Sequence, residues 1–177
     1  MTSKLSSVAF LLLLLFSACD GEIQSVAAET PQDLMNGWVG TWQVELELKK
    51  SFLVPEDTTI RGTETVRWIL NKQFLQSQQS YADGNFKKLS LIRYDPNEGI
   101  FLFWDFDSNG SFPMGITRGK WDRAKKEIVI SGAYIGGATA QGVIQFNNDD
   151  SAEMHLRLTA TDGTVLLDLK ARSEQLR

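Results

Sequence analysis

From Gly40 to Lys170 most segments alternate apolar and polar residues with a period of two, and turns separate them. A repeat of two belongs to a strand, whose side chains point to opposite faces in turn. Trp42, Val44, Leu46 and Leu48 share one face of the first strand, against Gln43, Glu45, Glu47 and Lys49. Ile60, Gly62, Glu64, Val66, Trp68 and Leu70 share a face of the second. Further strands are expected over 74–81, 86–94, 100–106, 111–121, 127–133, 143–146, 152–159 and 165–170. Turns are expected at Ala82-Asp83-Gly84-Asn85, Asp95-Pro96-Asn97-Glu98-Gly99, Asp107-Ser108-Asn109-Gly110, Asn147 to Asp150 and Thr161 to Thr164, where Gly, Asn and Asp supply the required backbone. No connection carries the crossover helix that a parallel pair needs, so the strands must be antiparallel neighbours. An open sheet of this width would expose its edges, and closure removes them. The expected fold is all-β, a single antiparallel up-and-down β-barrel of about ten strands with a short N-terminal helix.

Some strands carry finer expectations. Ile100 to Phe106 is apolar on both faces apart from Asp105, so it should be covered on both sides. Pro113 lacks a ladder donor and places 111–121 at an edge or a bulge. The small residues of 132–142, with Gly136-Gly137 among them, read as a loop or wide turn.

The N-terminal thirty residues are different. Lys4 precedes an apolar run through Phe16, and Ser17-Ala18-Cys19 follows. A basic start, a short apolar core and small residues at its end form a secretory signal peptide, and the run is well short of the ~20 residues of a spanning helix. Residues 1–18 are therefore expected to be a signal peptide, 19–29 a polar tether, and 30–177 the barrel domain. Cys19 is the only cysteine, so an intrachain disulfide is impossible. Phe16-Ser17-Ala18-Cys19 resembles a bacterial lipobox, which implies acylation of Cys19 and attachment to a membrane. Ordinary cleavage near the same point would instead leave a free protein. Either way the chain is expected to be exported to the bacterial cell envelope.

Thr30-Pro31-Gln32-Asp33 starts a short helix, with Thr as N-cap and Pro at the first helical position, and the helix should run to about Trp38. Gly40-Thr41-Trp42 then opens the first strand. A Gly-x-Trp at this point resembles the signature of lipocalins and other calycins. The resemblance implies that Gly40 and Trp42 close one end of the barrel and that an Arg of the last strand packs on the Trp; Arg172 stands in the right region, with Arg157 as the fallback. Leu34 to Trp42, Phe74-Leu75, Leu91 to Asp95, Phe101 to Trp104 and Gly119 to Asp122 together resemble a bacterial calycin-like family, domain of unknown function 1579. That family has no agreed activity, so the resemblance implies fold more than function.

The net charge of −4, with basic residues scattered and their densest pairs, Lys49-Lys50, Lys87-Lys88 and Lys125-Lys126, near expected strand ends or turns, argues against a nucleic-acid partner. One Cys and one His cannot build a zinc site without carboxylates, no phosphate-binding glycine motif occurs, and no Gly-x-Ser-x-Gly elbow is present. Nitrobindin-like haem barrels resemble this architecture and hold iron through one His. The single histidine, His155, alternates with the apolar Met154, Leu156 and Leu158 and should face solvent, so no haem or other cofactor is expected. Asp149-Asp150 and Asp105/Asp107 read as turn carboxylates rather than a metal site.

The barrel interior is the remaining candidate, because small-molecule pockets favour barrel mouths. Trp68, Trp104 and Phe74, with polar Glu64 and Gln76 or Gln78, are expected to line it. Three readings stay open: a barrel binding a small apolar ligand, a filled barrel acting as an envelope interaction protein, and an enzyme using Glu64 or Asp105 as a base. Glu64 is the pivotal residue, since a carboxylate inside must be paired, protonated or turned towards a polar ligand.

Overall fold

The computed structural model describes residues 30–81, 87–108, 116–133, 135–148 and 150–177. The expected signal peptide, tether and lipidation site at Cys19 lie outside them, as do the turn at 82–85 and Pro113.

The described chain starts with α1 (Pro31–Trp38). Thr30 caps it: its Oγ1 accepts from the Asp33 amide at 3.1 Å, and the Asp33 carboxylate accepts from the Thr30 amide at 3.0 Å. Ten strands follow: β1 (Gly40–Leu48), β2 (Thr58–Ile69), β3 (Phe74–Tyr81), β4 (Lys87–Asp95), β5 (Ile100–Asp107), β6 (Thr117–Asp122), β7 (Glu127–Ala133), β8 (Thr139–Asn148), β9 (Ser151–Thr159) and β10 (Val165–Gln175). Each pairs antiparallel with its neighbours in sequence, and β1 also pairs with β10, from Trp42 opposite Gln175 to Leu48 opposite Leu169. The result is the closed up-and-down barrel that the alternation requires.

Two details differ from the sequence reading. The stretch 132–142 is mostly ladder: Gly132 pairs with Ala140, Ile130 with Gly142, and only a short turn around Gly136 and Gly137 breaks the pairing. Small side chains here serve close strand approach rather than looseness; a Cβ on Gly142 would lie 2.4 Å from the His155 carbonyl oxygen. Strand β5 is also not covered on both faces as expected. Phe101 and Phe103 are buried inside, while Ile100, Leu102 and Trp104 lie on the outer wall and are only half-buried.

The two ends of the barrel differ. At the end where α1 sits, Trp42, Val66, Leu75, Ile92, Phe101, Phe103 and Ile128 join Leu34 and Met35 of the helix in one buried cluster. The helix is tied down by two indoles: Trp42 Nε1 donates to the Trp38 carbonyl at 3.0 Å, and Trp68 Nε1 to Asn36 Oδ1 at 3.1 Å. Trp38 also meets Phe146 edge-on at 5.4 Å. This end is plugged.

Candidate functional site

The other half of the interior is built differently on its two sides. Parity along each strand decides what points in. On β3, Leu75 and Ser77 are fully buried, so Gln79 and Tyr81 share the inner face. On β4 the same logic turns Lys88 and Ser90 inward with Ile92, and on β5 Asp105 and Asp107 with Phe103. Glu64 faces inward between Gly62 and Val66, because β2 pairs through Gly62 without a bulge.

These residues form a polar belt across four adjacent strands. Ser77 and Ser90 stand directly opposite each other on β3 and β4. Each serine donates to the carboxylate on its far side: Ser77 Oγ to Glu64 Oε1, and Ser90 Oγ to Asp105 Oδ1 at 2.5 Å. Lys88 Nζ also reaches Asp105 Oδ1 at 3.1 Å. Nearer the mouth, the Tyr81 hydroxyl donates to Gln79 Oε1 at 2.6 Å. Burial raises the Tyr81 phenol well above its ordinary value, and the charge of Glu64 pushes it the same way, so the hydroxyl stays protonated and keeps its bond to Gln79. Its ring lies over Gly62, where a Cβ would come within 2.8 Å of Tyr81 Cδ1. Only glycine lets the ring settle beside Glu64.

Opposite this wall the lining is aliphatic. Leu46 and Leu48 of β1, Leu156 and Leu158 of β9, and Leu167 and Leu169 of β10 share the inner face, register by register. Leu158 is buried, whereas Leu46, Leu48, Leu156, Leu167 and Leu169 are only half-buried although they point inward. The Asp105 side chain keeps 40% of its exposure. Inward residues that still meet solvent mark this half as open. Its lining is apolar on the leucine side and polar along the belt.

Several expected positions are corrected. Trp104, Phe74 and Gln76 do not line the interior. Phe74 and Gln76 have the opposite parity to Leu75 and Ser77, and Trp104 the opposite parity to Phe103. They lie on the outer wall, with the Phe74 and Trp104 rings 5.9 Å apart, the Arg93 guanidinium 5.6 Å from the Phe74 ring, and Gln76 Oε1 accepting from Arg67 Nε at 2.9 Å. Trp68 is inside, but its indole bonds Asn36 in the plug rather than facing the open half. Glu64 is inside, as one branch of the expectation had it.

The closing arginine is corrected too. Gly40 and Trp42 stand at the plugged end, but Arg172 points outward, opposite in parity to buried Ala171, and lies 3.7 Å from Glu153 and 3.9 Å from Glu47. The fallback Arg157 is outside as well, bonded to Asp168. Gln175 is the last-strand residue opposite Trp42, and its Nε2 donates to the Val39 carbonyl at 3.1 Å. His155 is exposed and bonds Asp168 Oδ1 at 2.8 Å. Hydrogen bonds from Arg157 and then His155 hold the Asp168 carboxyl below its ordinary value. Among the described residues no cluster of three or more His, Cys, Asp and Glu side chains could hold a metal.

Ser77, Ser90, Gln79, Tyr81 and Lys88 were missed in the sequence. The available signal was parity on β3, where Leu75 and Tyr81 outvote Phe74.

The fold is similar to that of Rv2717c from M. tuberculosis, with a TM-score of 0.61 at 16% identity, covering 84% of this chain and 99% of that one. It is also similar to a DUF3598-family protein of unknown function from Nostoc punctiforme, with a TM-score of 0.55 at 13% identity over 80% of this chain. That match covers 49% of the Nostoc chain, so the present chain spans about half the length of that relative. At such identities the likeness is one of fold. No curated protein matches the sequence. The model of one family covers residues 28–171, most of the chain, and the protein belongs to that family, described as protein of unknown function (DUF1579).

Proposed function

We propose that the protein is an exported, lipid-anchored barrel that binds a small amphiphilic molecule in the open half of its interior. The observation that carries this reading is the two-sided lining: the belt Glu64–Ser77–Ser90–Asp105 faces Leu46, Leu48, Leu156, Leu167 and Leu169 across the barrel. A filled interior would close leucine on leucine. A half-buried leucine wall facing hydrogen-bonding groups gains instead from a guest that covers the leucines and meets the belt. Export and the anchor rest on the signal-like segment and on Cys19 in its lipobox-like setting.

Native mass spectrometry of the protein purified from a bacterial envelope tests the reading. A stoichiometric co-purified small molecule with an alkyl or ring body is expected. An apo mass that stays unchanged after incubation with amphiphiles would reject it. Labelling of Cys19 with a radioactive fatty acid tests the anchor in the same preparation.

One observation favours a second reading, an interaction protein of the envelope. Phe74, Leu91 and Trp104 gather on the outer wall, and Phe106 beside them is 36% exposed. Such a patch on a barrel wall suits a protein partner. Cross-linking from position 91 to another envelope protein would support it, and loss of the cross-link in Trp104→Ser would place the contact.

A further inference from the structure

We infer that the open half selects an amphiphile whose polar group is a compact ammonium, and that Glu64 receives it. The inference rests on the reading of the barrel as an amphiphile carrier and adds the charge of the cargo. Among the described residues the strands turn three carboxylates inward, Glu64, Asp105 and Asp107, and one ammonium, Lys88, for a net of −3 + 1 = −2. Every arginine on these strands points outward: Arg61, Arg67, Arg93, Arg118, Arg157 and Arg172 are all exposed. The interior therefore has a sign.

The two ends of the belt differ in how well that sign is met. Asp105 has both Ser90 and the Lys88 ammonium. Glu64 has one hydrogen bond, from Ser77, and no ion pair among the described residues. A carboxylate can accept about four hydrogen bonds, and one withdrawn from bulk water is costly until a cation or further donors meet it. Two neighbouring donors are committed elsewhere. The Tyr81 hydroxyl donates to Gln79, and the Trp42 indole, directly opposite Glu64 on β1, donates into the plug. The floor above the plug thus presents an under-satisfied anion, and the leucine wall across from it takes the tail. An ammonium supplies up to three donors and the missing charge together. An anionic head group would meet Glu64 and Asp105 as like charges, because Lys88 is already held.

The test uses three probes of equal length, decylammonium, decanoate and decanol, titrated below their micelle thresholds into the full chain, followed by intrinsic tryptophan fluorescence. Charge-assisted hydrogen bonding places the expected preference for decylammonium over the other two at about tenfold or more. In Glu64→Gln the decylammonium affinity should fall to within about threefold of decanol, while decanol binds as before, which also reports that the variant is folded. Glu45→Gln, which removes an outer-wall charge paired with Arg61, should leave the preference intact. Equal binding of all three probes, tightest binding of decanoate, or a preference that survives Glu64→Gln would overturn the inference and leave the carrier reading standing. Failure of all three probes to bind would overturn both. The wild-type ranking needs no variant and decides the charge of the cargo if Glu64→Gln does not fold.

Discussion

Truncating one leucine at each end of the barrel separates a plugged half from an open one. Leu75 has no exposed surface and packs with Val66, Ile92, Phe101 and Phe103. Leu75→Ala removes a fully buried isobutyl group and leaves a void that the closed ladder cannot collapse, a cost of about 3–4 kcal/mol. Leu46 points inward too and packs against the edge of the same cluster, but it is only half-buried and lies towards the half whose lining meets solvent. Leu46→Ala gives up only part of one side chain's burial, about 1 kcal/mol. In urea, with a slope of roughly 2 kcal/mol/M for a domain of this size, the midpoint should drop by about 1.5–2 M for Leu75→Ala and about 0.5 M for Leu46→Ala. Equal losses of about 3 kcal/mol at both sites would mean that the interior is filled along its whole length, and the argument for a ligand would fail.

Three further outcomes follow from particular contacts. In Gly62→Ala the new Cβ would lie 2.4 Å from the Ser80 carbonyl oxygen and 2.8 Å from Tyr81 Cδ1; backbone cannot yield to it, so a loss of about 1–3 kcal/mol in urea unfolding is expected, and a neutral result would disprove the close packing. Gln175→Ala should cost about 1 kcal/mol by releasing the Val39 carbonyl, whereas Arg172→Gln should change stability by less than about 0.5 kcal/mol; the reverse order would restore the lipocalin-like arginine. The depressed Asp168 carboxyl stabilises the fold above the ordinary carboxylate value of ~3.9, and this contribution disappears as pH falls through the lower folded value. Wild type should therefore exceed Asp168→Asn by up to about 1 kcal/mol at neutral pH, with the gap closing in acid and in high salt; a gap independent of pH would refute the assignment.

The barrel was legible because period-two alternation survives in most strands and each turn carries its own chemistry. The helix was legible from Thr30, Pro31 and Asp33: the Thr30 hydroxyl accepts from the Asp33 amide, and Pro31 has no amide donor to satisfy. The site was harder. Glu64 could be followed inward because β2 alternates cleanly around it. On β5 both faces are apolar, so parity alone gives Trp104 no side. On β3 the largest apolar residue, Phe74, sits outside, and choosing it as the inner face inverts Gln76 as well. Ser77 and Ser90 look like ordinary strand serines until register sets them opposite each other. Pairing across strands is long-range information that no local window contains. The arginine transferred from the lipocalin pattern failed for a simpler reason: one residue of parity separates Arg172 from buried Ala171.

The most direct test of the central claim is a methyl NMR titration of the protein with decanol, a probe that needs no charge. Binding in the open half predicts saturable shifts for Leu46, Leu48, Leu156 and Leu169, with little change at Leu75 and Ile128 in the plug. Shifts confined to Leu91 on the outer wall, or no saturable shift at any of these methyls, would contradict it.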